Sequence, residues 1–512
     1  MKIMTDSNNK IMSIDALASK AIELKKNNKK IILCHGTFDL MHGGHIKYLQ
    51  KAKSKGDFLF VTVTADEYVN KGPGRPVFND NLRAENLAAL ECVDFVGVNH
   101  ELTAVGMLKQ IRPDLYVKGS EYQKPEEDVT GNIQKEIDAV REGGGDIFYT
   151  NEITFSSSSL INDHFDVFAP ETKAFLSQFK EKYTDKEIQD QIGSLEDLNV
   201  LVVGDVIIDQ YHYVSPLGQT GKGNVLAVQY ENEEQFAGGS IAVANHTSQF
   251  VNKVTLLSAL GDRDSHEVYI RSKLEKNITP VFTYFNDAPT LTKRRFVDGD
   301  LTKLFEIYFY QDEPAFKDDG KFVEKWLDDH VSEYDLVIVA DFGNGFISPK
   351  MREIICNKAN FLAVNTQINS GNRGYHVITN YKHANYISLN EPEIRLATHN
   401  RHDSIEHVAT EVIKKLGAKQ CAVTRGTKGV VMLDEDKKSF YRVPALSSRV
   451  VDRIGAGDAF LSLSSICLAG GLDSQIANFV GSVAAAMDVQ IVCNREPINS
   501  VSLKKYISTL LK

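Results

Sequence analysis

The chain has 512 residues, 42% hydrophobic and 25% charged, an ordinary globular composition in a length too great for one core, so two or three domains are expected. A formal net charge of −10 with no offsetting basic patch argues against nucleic acid as a partner. The opening MKIMTDSNNK is too polar for a signal peptide and no apolar run nears the roughly eighteen residues of a membrane span, so a cytoplasmic protein without a membrane partner is expected.

Taken in chain order, KKIILC, DFLFVTVT, VDFVGV, PDLYVKG and GDIFYT read as strands, with HIKYLQKAKSKG and NLRAENLAALEC as helices between them. This alternation predicts a parallel α/β sheet. The first strand runs directly into HGTFDLMHGGH, His35 to His45. Glycines at a strand-to-helix junction let backbone amides approach a phosphate, and the positive end of the helix dipole adds to the attraction. His42 and His45, three residues apart, project from one face of the first turn. There they can donate to charge developing on an α-phosphate and a leaving pyrophosphate. A pair that only caps or solvates the helix is the plainer alternative. Lys47, one turn on, faces either the phosphates or solvent.

From about Asp163 to Asp197 the chain turns charged and helical without strand-like runs, which predicts a helical linker. A new strand series then begins with LNVLVVGDVIID and continues through KVTLLSALG, YDLVIVADFG, NFLAVN, ANYISLN and KQCAVTRG. The expected domains are therefore 1–162, a linker over 163–197, and a second α/β domain over 198–512. In the second, DRIGAGDAF places Gly455, Ala456 and Gly457 just before an apolar helix, where their amides can converge on an anion. Asp458 then lies where a carboxylate can take the proton of a hydroxyl attacking a γ-phosphate. The six cysteines, at 34, 92, 356, 421, 467 and 493, show no C-x-x-C spacing and sit mostly in apolar runs, so free buried thiols rather than zinc ligands are expected.

These motifs carry a resemblance. Lys30 to Asn162, with GTFDLMHGGHIKYL, GPGRPV, RPDLYVKGSEY and FSSSSLI, resembles the HxGH nucleotidyltransferases, most closely that half of the bifunctional heptose kinase/heptose-1-phosphate nucleotidyltransferase family. The resemblance implies a Rossmann-like domain in which His42 and His45 stabilise the transition state. It places nucleotide contacts on Gly36, Thr37, Phe38, Lys118 and the loop Ser156, Ser157, Ser158 and Ser159, and substrate contacts on Lys71 and Arg75. Class I aminoacyl-tRNA synthetases also carry a HIGH-type motif, but their K-M-S-K-S loop is absent and the acidic chain offers no anticodon-reading surface.

Asn199 to Asn494 resembles the ribokinase-like (PfkB) sugar kinases, again closest to the kinase half of the same bifunctional family. The resemblance implies a ribokinase-like α/β domain with a small β-lid, to which VLAVQYENEEQF contributes a strand, and a homodimer formed through that lid. It places sugar contacts on Asp205, Asp209, Gly238, Gly239 and Asn245, and substrate-phosphate contacts on Lys293 and Arg295. Nucleotide contacts fall on Thr424, Gly426, Gly429 and the Gly455–Ala456–Gly457 turn, Mg²⁺ and its waters on Asn390 and Glu393, and the catalytic base on Asp458. The implied cofactors are Mg²⁺, ATP at the kinase site, ATP or CTP at the transferase site, and a monovalent cation at the kinase site.

Two stretches depart from the family pattern: AVNTQ (Asn365, Thr366, Gln367) replaces an Asp-Pro-Lys turn, and DFGNG (Asp341 to Gly345) lacks the lysine of D-Y-x-K-G. Both changes remove charge near the substrates. The order of the two domains is expected to be the reverse of the family's. The combination implies a bifunctional transferase of nucleotide-activated sugar synthesis, taking a sugar or sugar phosphate and an NTP. Two alternatives stand beside it. One is a CTP-dependent cytidylyltransferase for a polyol or unusual sugar phosphate, fed by the kinase half; the other makes the kinase half a ligand sensor that regulates the transferase.

Overall fold

The computed structural model describes residues 7–69, 72, 74–123, 132–150, 168–312, 314–372, 374–447 and 449–512. They form two compact units, Met1–Val167 with Lys504–Lys512, and Phe168–Leu503.

The first unit is a parallel five-stranded sheet. Its strands are β1 (Ile31–Gly36), β2 (Phe58–Thr64), β3 (Phe95–Asn99), β4 (Leu115–Gly119) and β5 (Asp146–Thr150), in the order β3-β2-β1-β4-β5. The helices are α1 (Ile14–Lys26), α2 (Gly43–Lys53), α3 (Asp80–Ala88), α4 (Val105–Ile111) and α5 (Asn132–Glu142). All five expected strands form, and the central runs are covered on both faces: Ile31, Ile32, Leu33 and Cys34 of β1 are wholly buried, while β5 at the edge is only half-buried. The order reverses at β1, where β2 departs to one side and β4 to the other. The C-terminal ends of these strands therefore open a crevice at the HGTFDLMHGGH junction.

The second unit opens with α6 (Pro170–Lys182) and α7 (Asp185–Gly193). These helices of the expected linker belong to this unit: Phe179 packs its ring 4.3 Å from that of Phe479, and Lys182 Nζ donates to Gln475 Oε1. Strands and helices then follow as β6 (Asn199–Gly204), β7 (Val206–Gln219), β8 (Leu226–Gly239), α8 (Ser240–Ser248), β9 (Lys253–Arg263), α9 (Glu267–Lys273), β10 (Ile278–Pro289), β11 (Thr292–Val297), β12 (Lys303–Phe309) and α10 (Lys321–His330). Next come β13 (Leu336–Asp341), α11 (Pro349–Lys358), β14 (Leu362–Thr366), β15 (Tyr386–Asn390), α12 (Glu391–Thr398), α13 (Ile405–Leu416), β16 (Gln420–Thr424), β17 (Val430–Asp434), β18 (Ser439–Val443), α14 (Ala456–Ala469) and α15 (Ser474–Asp488); α16 (Ser500–Leu511) ends the chain, its residues from Lys504 on belonging to the first unit.

A nine-stranded sheet, β10-β9-β6-β13-β14-β15-β16-β17-β18, is parallel up to β16 and antiparallel at the β17–β18 edge. A separate four-stranded sheet, β12-β11-β7-β8, is the expected lid, and VLAVQYENEEQF lies almost wholly within its β8. Asp205 stands at the junction between the two sheets, whereas Asp209 sits on β7 of the lid, directly opposite Lys293 of β11. All six cysteines are free; four are buried, and Cys92 and Cys356 are half-buried. Among the described residues no helix is long and apolar enough to cross a membrane.

Candidate active sites

In the first unit, His42 is the N-cap of α2, and its Nδ1 accepts from the Gly44 amide at 3.1 Å. An imidazole nitrogen that accepts carries no proton, so neutral His42 holds its proton on Nε2, where it can be donated. The His45 ring lies 4.0 Å from that of His42, centroid to centroid, which brings the expected pair together. Phe38, in the left-handed region at φ +48°, meets His45 edge-on at 5.6 Å. Gly36 passes close beneath it, since a Cβ at residue 36 would stand 3.3 Å from the Phe38 ring. Thr37, next in line, is buried.

Two supports of this crevice were not named from the sequence: Arg83, and Asp39 within the HGTFDLMHGGH motif itself. The Arg83 guanidinium, wholly buried, donates to the carbonyls of Phe78, Thr37 and Thr64 and pairs with Asp66 at 2.6 Å. Asp39 accepts the amides of Val77 and Phe78, pinning the end of the GPGRPV loop. Lys118 is buried against Glu136 at 2.9 Å, and Tyr116 donates to the same carboxylate. Arg75 is half-buried near Asp39, and burial lowers its pKa. Lys71 and Ser156 to Ser159 lie outside the described residues.

The second unit holds a cavity of about 450 Å³. At one end lie Asp209, Gly239, Lys293, Arg295 and Asp458; the Gly455–Gly457 turn, Asn390 and the Thr424–Gly429 turn line the rest, with Val430, Leu446 and Val489 as an apolar wall. Gly455, at φ +101°, caps α14, and the Asp458 and Ala459 amides donate to its carbonyl. The amides of Ala456 and Gly457, at the first turn, have no intrahelical acceptor and are available to an anion. The left-handed φ and the neighbours exclude a side chain at 455: a Cβ there would come within 2.7 Å of Asp488 Oδ2.

Charge is concentrated at the lid end. Arg295 pairs with Asp209 and with Glu306, the latter at 3.1 Å. Lys293, only 6% exposed, makes no ion pair within 4 Å among the described residues. Burial lowers its pKa and the nearby Asp209 carboxylate opposes that. Burial, with the Asp209 and Glu393 carboxylates adding and Lys293 opposing, pushes Asp458 up to about 7. A carboxylate held there is a proton acceptor near neutral pH.

Several expected contacts are placed differently. Asp205 is buried, and its oxygens accept the amides of Phe342 and Phe346, so it organises the DFGNG loop and does not line the cavity. Asn245, expected as a sugar contact, does not line the cavity: its Nδ2 donates to the Lys273 carbonyl and its Oδ1 accepts from the Glu275 amide, so it clamps the loop after α9. Gly238 is not on the wall either, but a Cβ there would strike the Asp209 carboxylate, so glycine lets that carboxylate lie flat. Asn390 and Glu393 form a reciprocal capping box on α12. Each Glu393 oxygen takes one amide, from Asn390 at 2.8 Å and Ile368 at 3.4 Å, and burial pushes its pKa up to about 7. Sequence reasoning missed Asn494, which belongs to no spaced motif, and Phe342, which lies within the DFGNG stretch but was not named as a contact.

A cytidylyltransferase-like family model matches residues 33–163, and the model of the pfkB family of carbohydrate kinases matches residues 197–498. Curated relatives include the bifunctional protein HldE of Citrifermentans bemidjiense, 38% identical over 140 residues (27% of this chain and 28% of that one). Those of Geotalea uraniireducens and Helicobacter pylori are 43% identical over 119 residues (23% and 24%) and 40% over 126 (24% and 27%). The matches thus span about a quarter of the length of these relatives. None of them sets the order of the two regions here apart from that of the HldE proteins, and the expected reversal is withdrawn. Among solved structures, ribokinase of Thermotoga maritima aligns at a TM-score of 0.48 and 18% identity, covering 60% of this chain and 99% of that one. Phosphofructokinase-2 of Escherichia coli aligns at 0.49 and 13%, covering 62% and 100%.

Proposed function

The chain belongs to the pfkB family of carbohydrate kinases and carries a cytidylyltransferase-like region ahead of the kinase, and from that premise we propose a bifunctional enzyme of nucleotide-activated sugar synthesis. It phosphorylates a sugar or sugar phosphate, heptose-like by resemblance, with ATP, and it joins a sugar phosphate to the nucleotidyl group of ATP or CTP. The observation that carries the reading is the single cavity shared by Asp458, the Gly455–Gly457 amides, Asp209 and Lys293.

In the kinase step, Asp458 takes the proton of the acceptor hydroxyl as its oxygen attacks the γ-phosphorus and the bond to the ADP oxygen breaks. The Ala456 and Gly457 amides receive charge growing on the phosphoryl oxygens, and buried Lys293 adds a positive charge beside them. Asp209, fixed by Arg295, accepts from acceptor hydroxyls. The apolar wall of Val430, Leu446 and Val489 suits a nucleobase. Glu393 and Asn390 suit Mg²⁺ held through waters, because each Glu393 oxygen keeps a lone pair beyond its one amide bond and both residues are oxygen donors. When bound, the ion neutralises phosphate charge. Asp488, wholly buried beside Gly455 with no hydrogen-bond partner for either oxygen among the described residues, suits the implied monovalent cation.

In the transferase step, a sugar-phosphate oxygen attacks the α-phosphorus in line and the bond to pyrophosphate breaks. His42, donating from Nε2, and His45 assist that departure, while Lys118 and Arg75 hold phosphates. Homodimerisation through the lid is supported by Phe305, Ile307 and Phe309, which alternate on β12 and remain 41%, 41% and 39% exposed. The test is a screen of sugars and sugar phosphates with ATP and CTP, following ADP and pyrophosphate separately. If neither product appears with any carbohydrate while both units are folded, the proposal fails.

A further inference from the structure

The end of the chain is remote in sequence from the transferase motifs, yet Lys504–Lys512, the last turns of α16, belong to the first unit. Tyr506 (2% exposed), Thr509 (6%) and Leu510 are buried there. Gly72 faces this helix end at φ +91°: a Cβ built on it would stand 3.3 Å from Thr509 Cγ2 and 3.8 Å from Tyr506 Cδ2. Three residues further, the Arg75 guanidinium lies within electrostatic reach of both the Asp39 carboxylate and Tyr506. Asp39 in turn holds the Val77 and Phe78 amides. Gly72 is thus seated on the C-terminal helix, while Asp39 holds the chain just beyond Arg75 at Val77 and Phe78.

Glycines at 72 and 74 give this stretch much backbone freedom to lose when a ligand orders Arg75. A helix packed behind it removes part of that freedom before the ligand arrives, which lowers the cost of binding. Resting on the proposed transferase reading, in which Arg75 meets the anionic end of the acceptor, we infer that the C-terminal turn Lys504–Lys512 is a working part of the sugar-phosphate site. Tyr506 and Thr509 are positioning residues: they back Gly72 and hold Arg75 for an acceptor phosphate. The transferase unit is therefore incomplete when cut from the chain after residue 167.

The experiment compares full-length wild type with a Tyr506→Ala/Thr509→Gly double variant and a volume-keeping Tyr506→Phe/Thr509→Val pair. The double variant is expected to raise the KM for the sugar phosphate by about tenfold with kcat within about threefold, and the conservative pair to restore it. Its KM for the NTP and its ADP formation stay near wild type. Amide hydrogen exchange over residues 68–78, read by mass spectrometry, rises in the double variant and not in the conservative one. An unchanged sugar-phosphate KM together with unchanged exchange over that loop overturns the inference. If wild type transfers no nucleotide to any sugar phosphate but loop exchange still rises in the double variant, the functional reading has failed and the packing has stood.

Discussion

Replacing Asp458 by asparagine is expected to move activity and stability in opposite directions. The carboxyl is raised from the ordinary 3.8 to about 7, chiefly by burial. A difference of that size corresponds to roughly 4 kcal/mol between charged and neutral forms, and screening by solvent in the cavity that Asp458 faces brings it to about 2–3 kcal/mol. Because the folded state binds the Asp458 proton more tightly, the stability carried by Asp458 is fully present below about pH 4, declines as pH rises from 3.8 to about 7, and stays lost beyond. Asparagine never ionises and loses that slope. Near pH 8 the variant should therefore melt roughly 3–6 °C above wild type in the kinase-unit transition, with the gap closing towards about pH 4, as read by calorimetry at both pH values. ADP formation should fall by about 10²–10⁴-fold, since the proposed general base is gone. The wild-type kcat/KM should rise with pH through about 7, and the residual rate of the variant should be flat there. A variant with ADP formation within about threefold of wild type refutes the assignment of the base. One that is destabilised near pH 8 refutes the electrostatic argument.

Three further expectations follow from the same geometry. His45→Asn removes half of the imidazole pair and should lower pyrophosphate release by about 10²-fold or more while ADP formation stays within about twofold, measured on one preparation. Arg83→Met strands the carbonyls of Thr37, Thr64 and Phe78 and leaves Asp66 unpaired; it should destabilise the first unit by about 3–5 kcal/mol in urea unfolding, and a loss under about 1 kcal/mol would show that these carbonyls find other donors. Gly455→Ala forces a Cβ into a left-handed turn against Asp488 and Asn494, so ADP formation should fall at least about tenfold with pyrophosphate release unchanged.

Much of this was legible because the informative residues lie in short, spaced groups. His42 and His45 are three apart at a strand end, and Gly455 to Asp458 are consecutive, so local geometry alone brings each set together. The strands were legible for a similar reason: β1 and β6 are uninterrupted apolar runs buried on both faces. What sequence did not convey depends on partners distant along the chain. Asn245 follows a glycine pair and reads like a sugar contact, but one helical turn rotates it towards Lys273 and Glu275. Arg83 sits in an unremarkable amphipathic helix, and its role exists only because Thr37, Thr64 and Phe78 converge on it in space. The NEPE motif was legible as chemistry, yet the capping box shows that the same residues also start a helix, and spacing cannot separate the two roles.

The two departures from the family pattern are joined in the structure. Asn344, in the position of the missing lysine, accepts from Asn369 Nδ2, which also donates to the Phe342 carbonyl. Asn372 Nδ2 donates to that same carbonyl and to Gln367, while Asn369 Oδ1 accepts the amides of Gly371 and Asn372. Neutral amides thus stitch the DFGNG loop to the segment after AVNTQ, and they fix Phe342 and Gln367 on the cavity wall. The two stretches are held together without charge, because hydrogen bonds between these half-buried amides need no counter-ion. The consequence of the lost charge is electrostatic: at the lid end of the cavity, positive charge now rests on Lys293 and Arg295, and Arg295 is already committed to Asp209 and Glu306. Lys293 is then the one described lid cation on the cavity wall without an ion pair, so neutralising it should weaken the attraction for an anionic acceptor more than any change in the amide network could.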